Sequence, residues 1–239
     1  MSTVVAESEL NEAARPAESW TPQEILRWAL DRFHPRIAFA SSFGVEDVAI
    51  IHMLSTLRPD ARIFTLDTGR LPVETYAVME RIREKYGVAI EVCFPERLAV
   101  ETLQRERGFY SFRQSVEERK RCCGIRKVEP LGRALAELDA WITGLRREQA
   151  VTRTAVAAVE VDAAHGGIVK VNPLIAWTES QVWDYVRAHG VPYSRLHDEG
   201  YPSIGCAPCT RAVQPGEDVR AGRWWWENPE TKECGLHRA

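Results

Sequence analysis

The chain has 239 residues, a formal net charge of −3 and a 45% hydrophobic content. This length can bury one sizeable core, and the near-neutral charge argues against a general nucleic-acid binder. No apolar run reaches the roughly 18–20 residues that a membrane helix needs. Residues 1–18 lack a secretory pattern and predict a disordered lead, so we expect a cytoplasmic protein with a single domain over residues 19–239.

The first half of the chain alternates between strand and helix patterns. A first helix begins near Pro22, and short apolar runs of strand length then alternate with apolar residues at helical spacing. Strands are predicted over residues 36–40, 62–66 and 88–93, and the helices between them over residues 45–57 and 72–86. This alternation predicts an α/β fold with a mostly parallel, twisted sheet flanked by helices.

The second half is predicted to be helical at first and irregular at its end. A capping box at residues 115–118 begins a helix that runs into two cysteines, and a helical pattern continues over residues 127–138. A fourth strand is predicted at residues 140–144, followed by β-rich runs at 155–159 and 168–171 and a helix over 178–190. From Val191 onward the chain lacks periodicity, and such a stretch needs a function or a metal to hold it. We expect residues from about 213 to 239 to form a flexible C-terminal segment.

Four of the six cysteines fall in two clusters, Cys122-Cys123 and Cys206-x-x-Cys209. In a reducing compartment such thiols serve metals or catalysis rather than structural disulfides. Four thiolates can hold a structural zinc ion, but adjacent cysteines point in divergent directions on a regular helix or strand. The spacing therefore favours a larger iron–sulfur cluster over zinc. Lys127, one helical turn beyond the first pair, would offset the negative charge of thiolates and cluster.

Two predicted strand ends carry patterns that suit anions. Residues 41–47 join a strand to a helix, and backbone N–H groups and the positive helix end at such a junction can bind an anion. Residues 41–47 are not a Walker A loop, because they lack its Gly-Lys-Ser/Thr. Residues 144–147 follow the fourth strand and contain two adjacent arginines suited to bidentate contacts with sulfate or phosphate. A plain turn or a solvated basic loop would explain either pattern alone, but both are expected at one sheet edge. The residues predicted to form this site are Ser41, Ser42, Gly44, Gly144, Arg146 and Arg147.

Ordered motifs from about residue 20 to the end of the chain resemble a known family. The loop at 41–47, with Leu66-Asp67-Thr68-Gly69-Arg70-Leu-Pro72, resembles the adenine-nucleotide α-hydrolase-like superfamily, in which this second strand end lies against the adenosine. The remaining motifs resemble assimilatory adenylyl-sulfate (APS) reductases: Cys122-Cys123-Gly-x-x-Lys127, Tyr201-Pro-Ser-Ile-Gly-Cys206-x-Pro-Cys209-Thr, Gly222-Arg223-Trp-Trp-Trp-Glu227 and Lys232-Glu-Cys234-Gly-Leu-His237.

The resemblance implies a set of roles. Cys122, Cys123, Cys206 and Cys209 would hold one [4Fe-4S] cluster per subunit, and Cys234 would be the catalytic nucleophile. Lys127 would lie next to cluster and substrate. The residues expected to bind substrate are Ser41, Ser42, Gly44, Leu66, Asp67, Thr68, Gly69, Gly144, Arg146, Arg147, Arg220, Arg223 and His237.

The implied reaction is reduction of adenosine 5′-phosphosulfate to sulfite and AMP through an S-sulfocysteine on Cys234. Thioredoxin or glutaredoxin would donate the electrons, and the reaction would serve sulfate assimilation and cysteine biosynthesis; a homo-oligomer is compatible with the sequence. Reduction of the 3′-phosphorylated substrate PAPS, or of both nucleotides, is the alternative. Two rivals from other classes are an ATP-using adenylyltransferase or thiolase and a non-catalytic zinc-binding module.

Overall fold

The computed structural model describes residues 17–149 and 156–228, together with residues 232, 235 and 236. Its helices are α1 (Pro22–Phe33), α2 (Val45–Leu57), α3 (Val73–Tyr86), α4 (Arg97–Arg107), α5 (Val116–Cys123), α6 (Glu129–Leu135) and α7 (Glu179–Ala188). Its strands are β1 (Ile37–Ala40), β2 (Arg62–Leu66), β3 (Ile90–Cys93), β4 (Ala140–Ile142), β5 (Val159–Asp162) and β6 (Ile168–Val171). None of these helices is both long and apolar enough to cross a membrane.

The strands pair in one sheet with the order β3-β2-β1-β4-β6-β5. All neighbours are parallel except β5, which runs antiparallel to β6. The chain adds β2 and β3 on one side of β1 and then returns to place β4 on the other side. The order therefore reverses between β1 and β4, and a ligand crevice is expected outside the carboxyl ends of these two strands.

The sheet is covered on both faces, which explains why its central strands are apolar throughout. Along β1, Ile37 and Phe39 pack into a large cluster with residues of α1, α2 and α7, whereas Ala38 joins a smaller cluster on the opposite face with Leu131 and Leu135 of α6. This alternation follows from the two-residue period of a strand. The predicted α/β architecture with flanking helices is confirmed.

The first of the two β-rich runs was predicted too early in the chain. The strand lies at Val159–Asp162 rather than at residues 155–159, because β6 ends at Val171 and Val171 already pairs with Val159. Residues before Val159 therefore run past the end of their partner, and Asn172 holds them instead by bonding to Ala157 and Ala158.

Other predicted bounds also differ from the structure, whereas the predicted N-cap residue of α5 is confirmed. The helix predicted over residues 127–138 ends at Leu135 and is preceded by a π-helical turn at Gly124–Val128, which continues α5 into α6. At the start of α5, Ser115 caps the helix by accepting from the Glu118 N–H at 3.2 Å. The lead predicted over 1–18 lies outside the described residues up to residue 16, but Ala17 is buried and Glu18 accepts from the Ala158 N–H at 2.9 Å.

Candidate functional site

A cleft of about 670 Å³ opens at the carboxyl ends of β1 and β4, where the strand order reverses. The predicted site residues that line it are Ser41, Ser42, Gly44, Leu66, Thr68, Lys127, Gly144, Arg146, Arg220 and Arg223. The fold thus gathers residues that are far apart in the chain into one concave site. A volume of this size suits a nucleotide-sized ligand.

The loop at residues 41–44 turns the chain tightly from β1 into α2. Phe43 has a φ of 59°, a left-handed conformation that is uncommon for a residue with a β-carbon, and its ring is buried. Ser41 closes the turn by donating its N–H to the Phe64 carbonyl at 2.8 Å and accepting from the Phe43 N–H at 3.1 Å. Gly44 provides no side-chain cap, so the first N–H groups of α2 can bind an anion.

Asp47, in the first turn of α2, braces this loop. Its Oδ2 accepts from the N–H and the hydroxyl of Ser42 at 2.5 Å and 2.7 Å. Burial raises the pKa of Asp47 to about 7, even though the hydrogen bonds from Ser42 act in the opposite direction. A β-carbon at Gly144 would collide with Oδ1 of Asp47, so the loop after β4 can approach α2 this closely only with glycine at that position.

The adjacent arginines after β4 diverge. Arg146 is buried in the cleft wall, where its Nε donates to Glu46 at 2.9 Å and its Nη1 to Glu148 at 3.2 Å. Arg147 binds Glu18 at 2.6 Å and the Val156 carbonyl at 3.1 Å, and it does not line the cleft. The predicted pair therefore contributes one cleft residue, and two carboxylates already balance that arginine.

The end of β2 also divides between two surroundings. Leu66 and Thr68 line the cleft, and the Thr68 hydroxyl lies 3.2 Å from the sulfur of Cys206. Asp67 and Gly69 do not line it in the described structure. Asp67 instead accepts from the Tyr76 hydroxyl at 2.9 Å and from the Gly69 N–H at 2.8 Å, so these two residues shape the turn.

The four predicted cysteines line one small cavity of about 20 Å³ next to the cleft. Cys122 and Cys123 come from the last turn of α5, and Cys206 and Cys209 from an irregular loop. None of the four is disulfide-bonded. Across the described residues, no group of three or more His, Cys, Asp or Glu side chains is arranged to hold a single metal ion.

Cations surround these sulfurs, and the sequence had identified Lys127 and Arg223 among them but neither Arg119 nor Arg126. Arg119 and Arg126 also line the cavity; Arg119 hydrogen-bonds the Cys123 side chain and Arg126 that of Cys122. Helical spacing was the available signal, because Arg119 lies four residues before Cys123 and Arg126 four residues after Cys122.

The charge balance of the cavity suits an anionic group. Burial raises the pKa of Cys122, and it raises the pKa of Cys209 to about 12, with further upward contributions from the neighbouring cysteines and an opposing one from Lys127. The buried Nε of Arg126 has no hydrogen-bond partner among the described residues. These thiols lie close to positively charged hydrogen-bond donors, one of which has no partner in the described part of the chain. This arrangement fits a polynuclear iron–sulfur group, because its thiolate ligands carry negative charge that the cations would balance.

The two cavities share a wall. Lys127, Arg223 and Trp224 line both the cysteine cavity and the cleft. The chain that follows stays close: an Nη of Arg220 donates to the Lys232 carbonyl at 2.8 Å, and Leu236 lines the cleft. Cys234 and His237, the two predicted tail residues of the site, lie outside the described residues.

The raised pKa of Asp47 predicts a pH-dependent stability. Its pKa of about 7 lies above that of an exposed aspartate, so its contribution is fully present below about pH 4 and is lost as the pH rises through 7. Substitution of Asp47 by Asn should remove this slope. We expect the free energy of unfolding of the wild type, relative to that of Asp47→Asn, to fall by on the order of 2 kcal/mol between pH 5.5 and pH 7.5. Urea unfolding of both proteins at the two pH values measures this change. A difference that is equal at both pH values would contradict the assignment.

The fold is similar to that of solved proteins. A phosphoadenylyl-sulfate (PAPS) reductase from Candida auris, solved as a phosphate complex, matches with a TM-score of 0.76 and 27% identity over 89% of this chain and 100% of that chain. An FMN adenylyltransferase from Candida glabrata shares the fold alone, with a TM-score of 0.57 and 15% identity over 97% of this chain and 81% of that one.

Several proteins with similar sequences are named as reductases of adenosine 5′-phosphosulfate. Proteins named adenosine 5′-phosphosulfate reductase are 55% identical over 202 residues in Allochromatium vinosum (84% of this chain, 78% of the relative) and 54% identical over 204 residues in Burkholderia cepacia (85% and 81%). The 5′-adenylylsulfate reductase 3 of Arabidopsis thaliana is 44% identical over 243 residues, which cover 98% of this chain and 52% of that protein. The family model of the phosphoadenosine phosphosulfate reductase domain matches residues 36–212. This range includes the loop after β1 and all four cysteines of the small cavity. The chain therefore belongs to the phosphoadenosine phosphosulfate reductase family.

Proposed function

We propose that this chain reduces adenosine 5′-phosphosulfate to sulfite and AMP in sulfate assimilation. The relatives with 54–55% identity bear the name of this activity. The observation that carries the proposal is the shared wall, because Lys127, Arg223 and Trp224 connect a cavity lined by four cysteines to a nucleotide-sized cleft. A plain nucleotide-binding enzyme of this fold would not need that second cavity.

The cleft has a polarity that suggests how the substrate lies. Lys127 and Arg223 line the part next to the cysteines, and Arg220 and the carboxylates Glu46 and Glu148 also line the cleft. In the proposed complex the sulfate faces the cations, which offset its charge and that of the departing phosphate. The phosphate lies at the N-terminus of α2, and the adenosine lies against the end of β2 at Leu66.

In the proposed reaction the thiolate of Cys234 attacks the sulfur of the phosphosulfate. A bond forms between Sγ and that sulfur, the S–O bond to phosphate breaks, and its electron pair leaves with AMP. A dithiol protein such as thioredoxin or glutaredoxin then supplies two electrons. Its first thiolate attacks Sγ of Cys234 and expels sulfite, and its second thiol resolves the mixed disulfide and regenerates Cys234.

Contacts on both sides of Cys234 support this role. Arg220, a cleft residue, holds the Lys232 carbonyl, and Lys232 Nζ donates to the Ala221 carbonyl at 3.3 Å. Leu236, two residues after Cys234, lines the cleft and packs against the cluster that contains Leu131. His237 would assist by favouring the thiolate of Cys234.

We further propose that Cys122, Cys123, Cys206 and Cys209 hold one [4Fe-4S] cluster. When bound, this group would supply a fixed charge beside the cations of the shared wall. Arg119, Arg126 and Lys127 balance the thiolates, and the hydroxyl of Thr68 contacts the sulfur of Cys206. Lys127 and Arg223 would in turn hold the sulfate end of the substrate in the neighbouring cleft.

The covalent intermediate can be weighed directly. Incubation of the iron-loaded protein with APS and no reductant should add one sulfite-sized mass increment, because the first half-reaction needs no electron donor. Intact-protein mass spectrometry should find this increment in the wild type and in Cys93→Ala, a thiol outside both cavities. It should be absent in Cys234→Ala. Unmodified wild-type protein that nevertheless binds APS would overturn the mechanism.

The metal content separates the cluster from zinc. Anaerobically purified protein should be brown and contain about four iron and four labile sulfide per chain. Because Cys209 is one of four proposed ligands, Cys209→Ser should lose most of the iron, whereas Cys93→Ser should retain it. Colourless protein with stoichiometric zinc would refute the cluster and revive the zinc module.

The carboxylates around Arg146 favour APS over its 3′-phosphorylated analogue PAPS. Glu46 and Glu148 already neutralise Arg146, so an added phosphate would meet their negative charge rather than a cation ready to bind it. Sulfite-release assays should show a higher kcat/KM for APS than for PAPS. Glu46→Gln should lower the ratio of kcat/KM for APS to kcat/KM for PAPS by roughly tenfold, because it removes one carboxylate and breaks one ion pair of Arg146.

Glu137 is exposed and does not line the cleft in the described structure, so it offers a matched control, and Glu137→Gln should leave the ratio unchanged. Equal kcat/KM values for the two nucleotides in the wild type would instead establish dual specificity.

A further inference from the structure

Arg119 is a fully buried arginine that joins the cysteine cavity to the chain after Arg223. Its Nε and Nη2 donate to the two carboxylate oxygens of Glu227 at 3.0 and 2.9 Å, and both side chains are at most 3% exposed. Its guanidinium carbon lies 4.7 Å from the ring centroid of Trp224. Its side chain also hydrogen-bonds that of Cys123. One side chain of α5 thus contacts a cysteine, an aromatic ring and a carboxylate.

Trp224 extends this arrangement to the cleft. Two guanidiniums contact its ring, with the carbon of Arg223 at 4.8 Å and that of Arg119 at 4.7 Å from the centroid. The backbone is held as well: the Trp224 N–H donates to the Cys209 carbonyl at 3.1 Å, and the Glu227 N–H donates to the Trp224 carbonyl at 2.8 Å. Trp224 has a left-handed φ of 40°, which surrounding contacts must maintain because it is unfavourable for such a residue.

Arg223 is the member of this group that faces the proposed substrate. It lines both cavities, its Nη1 contacts the Ile204 carbonyl at 3.3 Å, and a β-carbon at Gly205 would collide with its guanidinium. Arg119 and Glu227 do not line the cleft in the described structure. These two residues therefore act on a ligand in the cleft only through residues that line it, and Trp224, which contacts both Arg119 and Arg223, offers the most direct route.

We propose that Arg119 is a positioning residue for Arg223, acting through its ion pair with Glu227 and its contact with Trp224. Loss of Arg119 removes the buried ion pair of the Glu227 carboxylate, which is strongly unfavourable. The segment at residues 224–227 then moves to return that carboxylate to water, and Trp224 no longer holds Arg223 in the shared wall. The identity of the ligand rests on the proposed function, whereas the positioning role rests on these contacts alone.

Equilibrium binding of APS to the full-length, iron-loaded protein tests the role. A Cys234→Ala background separates binding from chemistry. Arg119→Met should weaken APS binding by roughly tenfold or more, and Glu227→Gln should weaken it in the same direction although Glu227 reaches neither cavity. The double variant Arg119→Met/Glu227→Leu removes both charges, so its affinity should recover to within about threefold of the parent.

Arg121→Met is the matched control, since Arg121 is exposed on the same helix, and it should leave the affinity unchanged. Iron content and near-ultraviolet circular dichroism are measured on every variant; if Arg119→Met fails to fold, Arg119→Lys and Glu227→Gln provide the comparison.

Parental affinity for APS in both single variants overturns the proposal, and so does a loss of affinity that only parallels the loss of iron. A double variant no better than Arg119→Met also overturns it. A parent that does not bind APS refutes the proposed substrate instead, and AMP then serves as the probe for the same comparison.

Discussion

Buried positive charge next to buried sulfur organises the C-terminal half of this protein. Arg119, Arg126 and Lys127 lie along a continuous helical stretch that also carries Cys122 and Cys123. A guanidinium is costly to remove from water unless it is paired, so each cation constrains its surroundings. Arg119 draws in Glu227, and Arg126 donates to the Thr68 carbonyl at 2.6 Å. The irregular chain after Val191 is therefore held by polar contacts to helices and strand ends rather than by periodic structure of its own.

A second constraint is the close approach of two loops where the strand order reverses. Asp47 braces the loop after β1, and Gly144 allows the loop after β4 to pack against it. In the wall of the cleft between these loops, the charge of Arg146 is balanced by ion pairs with two carboxylates. Lys127 and Arg223, which line the cleft next to the cysteine cavity, give the cleft its direction. In the proposed complex, fold and electrostatics would thus orient a phosphosulfate in the same way.

Much of the fold was predictable because its signals are local. Apolar period and turn residues lie within a few residues of one another, and the strands and helices predicted for the first half appeared within two residues of their predicted bounds. The exception is α4 (Arg97–Arg107), for which no bounds were predicted. The strand before His165 was misplaced because its bounds depend on where β6 ends, which is a contact between elements. Among the site residues, the loop after β1 and the four cysteines converge as expected. Arg147, Asp67 and Gly69 do not face the cleft, because a motif predicts which loop is near a ligand but not where each side chain points.

The sequence by itself determined the class of fold, the two strand ends that meet at the cleft and the two cysteine clusters, since residue type and spacing carry that information. It also determined the family, through motifs that occur in a fixed order along the chain. The tertiary structure alone decided which charges meet. Arg119 and Glu227 are separated by 108 positions, and Thr68 and Cys206 by 138. No local pattern reports such pairs, because they form only when the sheet and the π-helical turn have set the direction of each side chain.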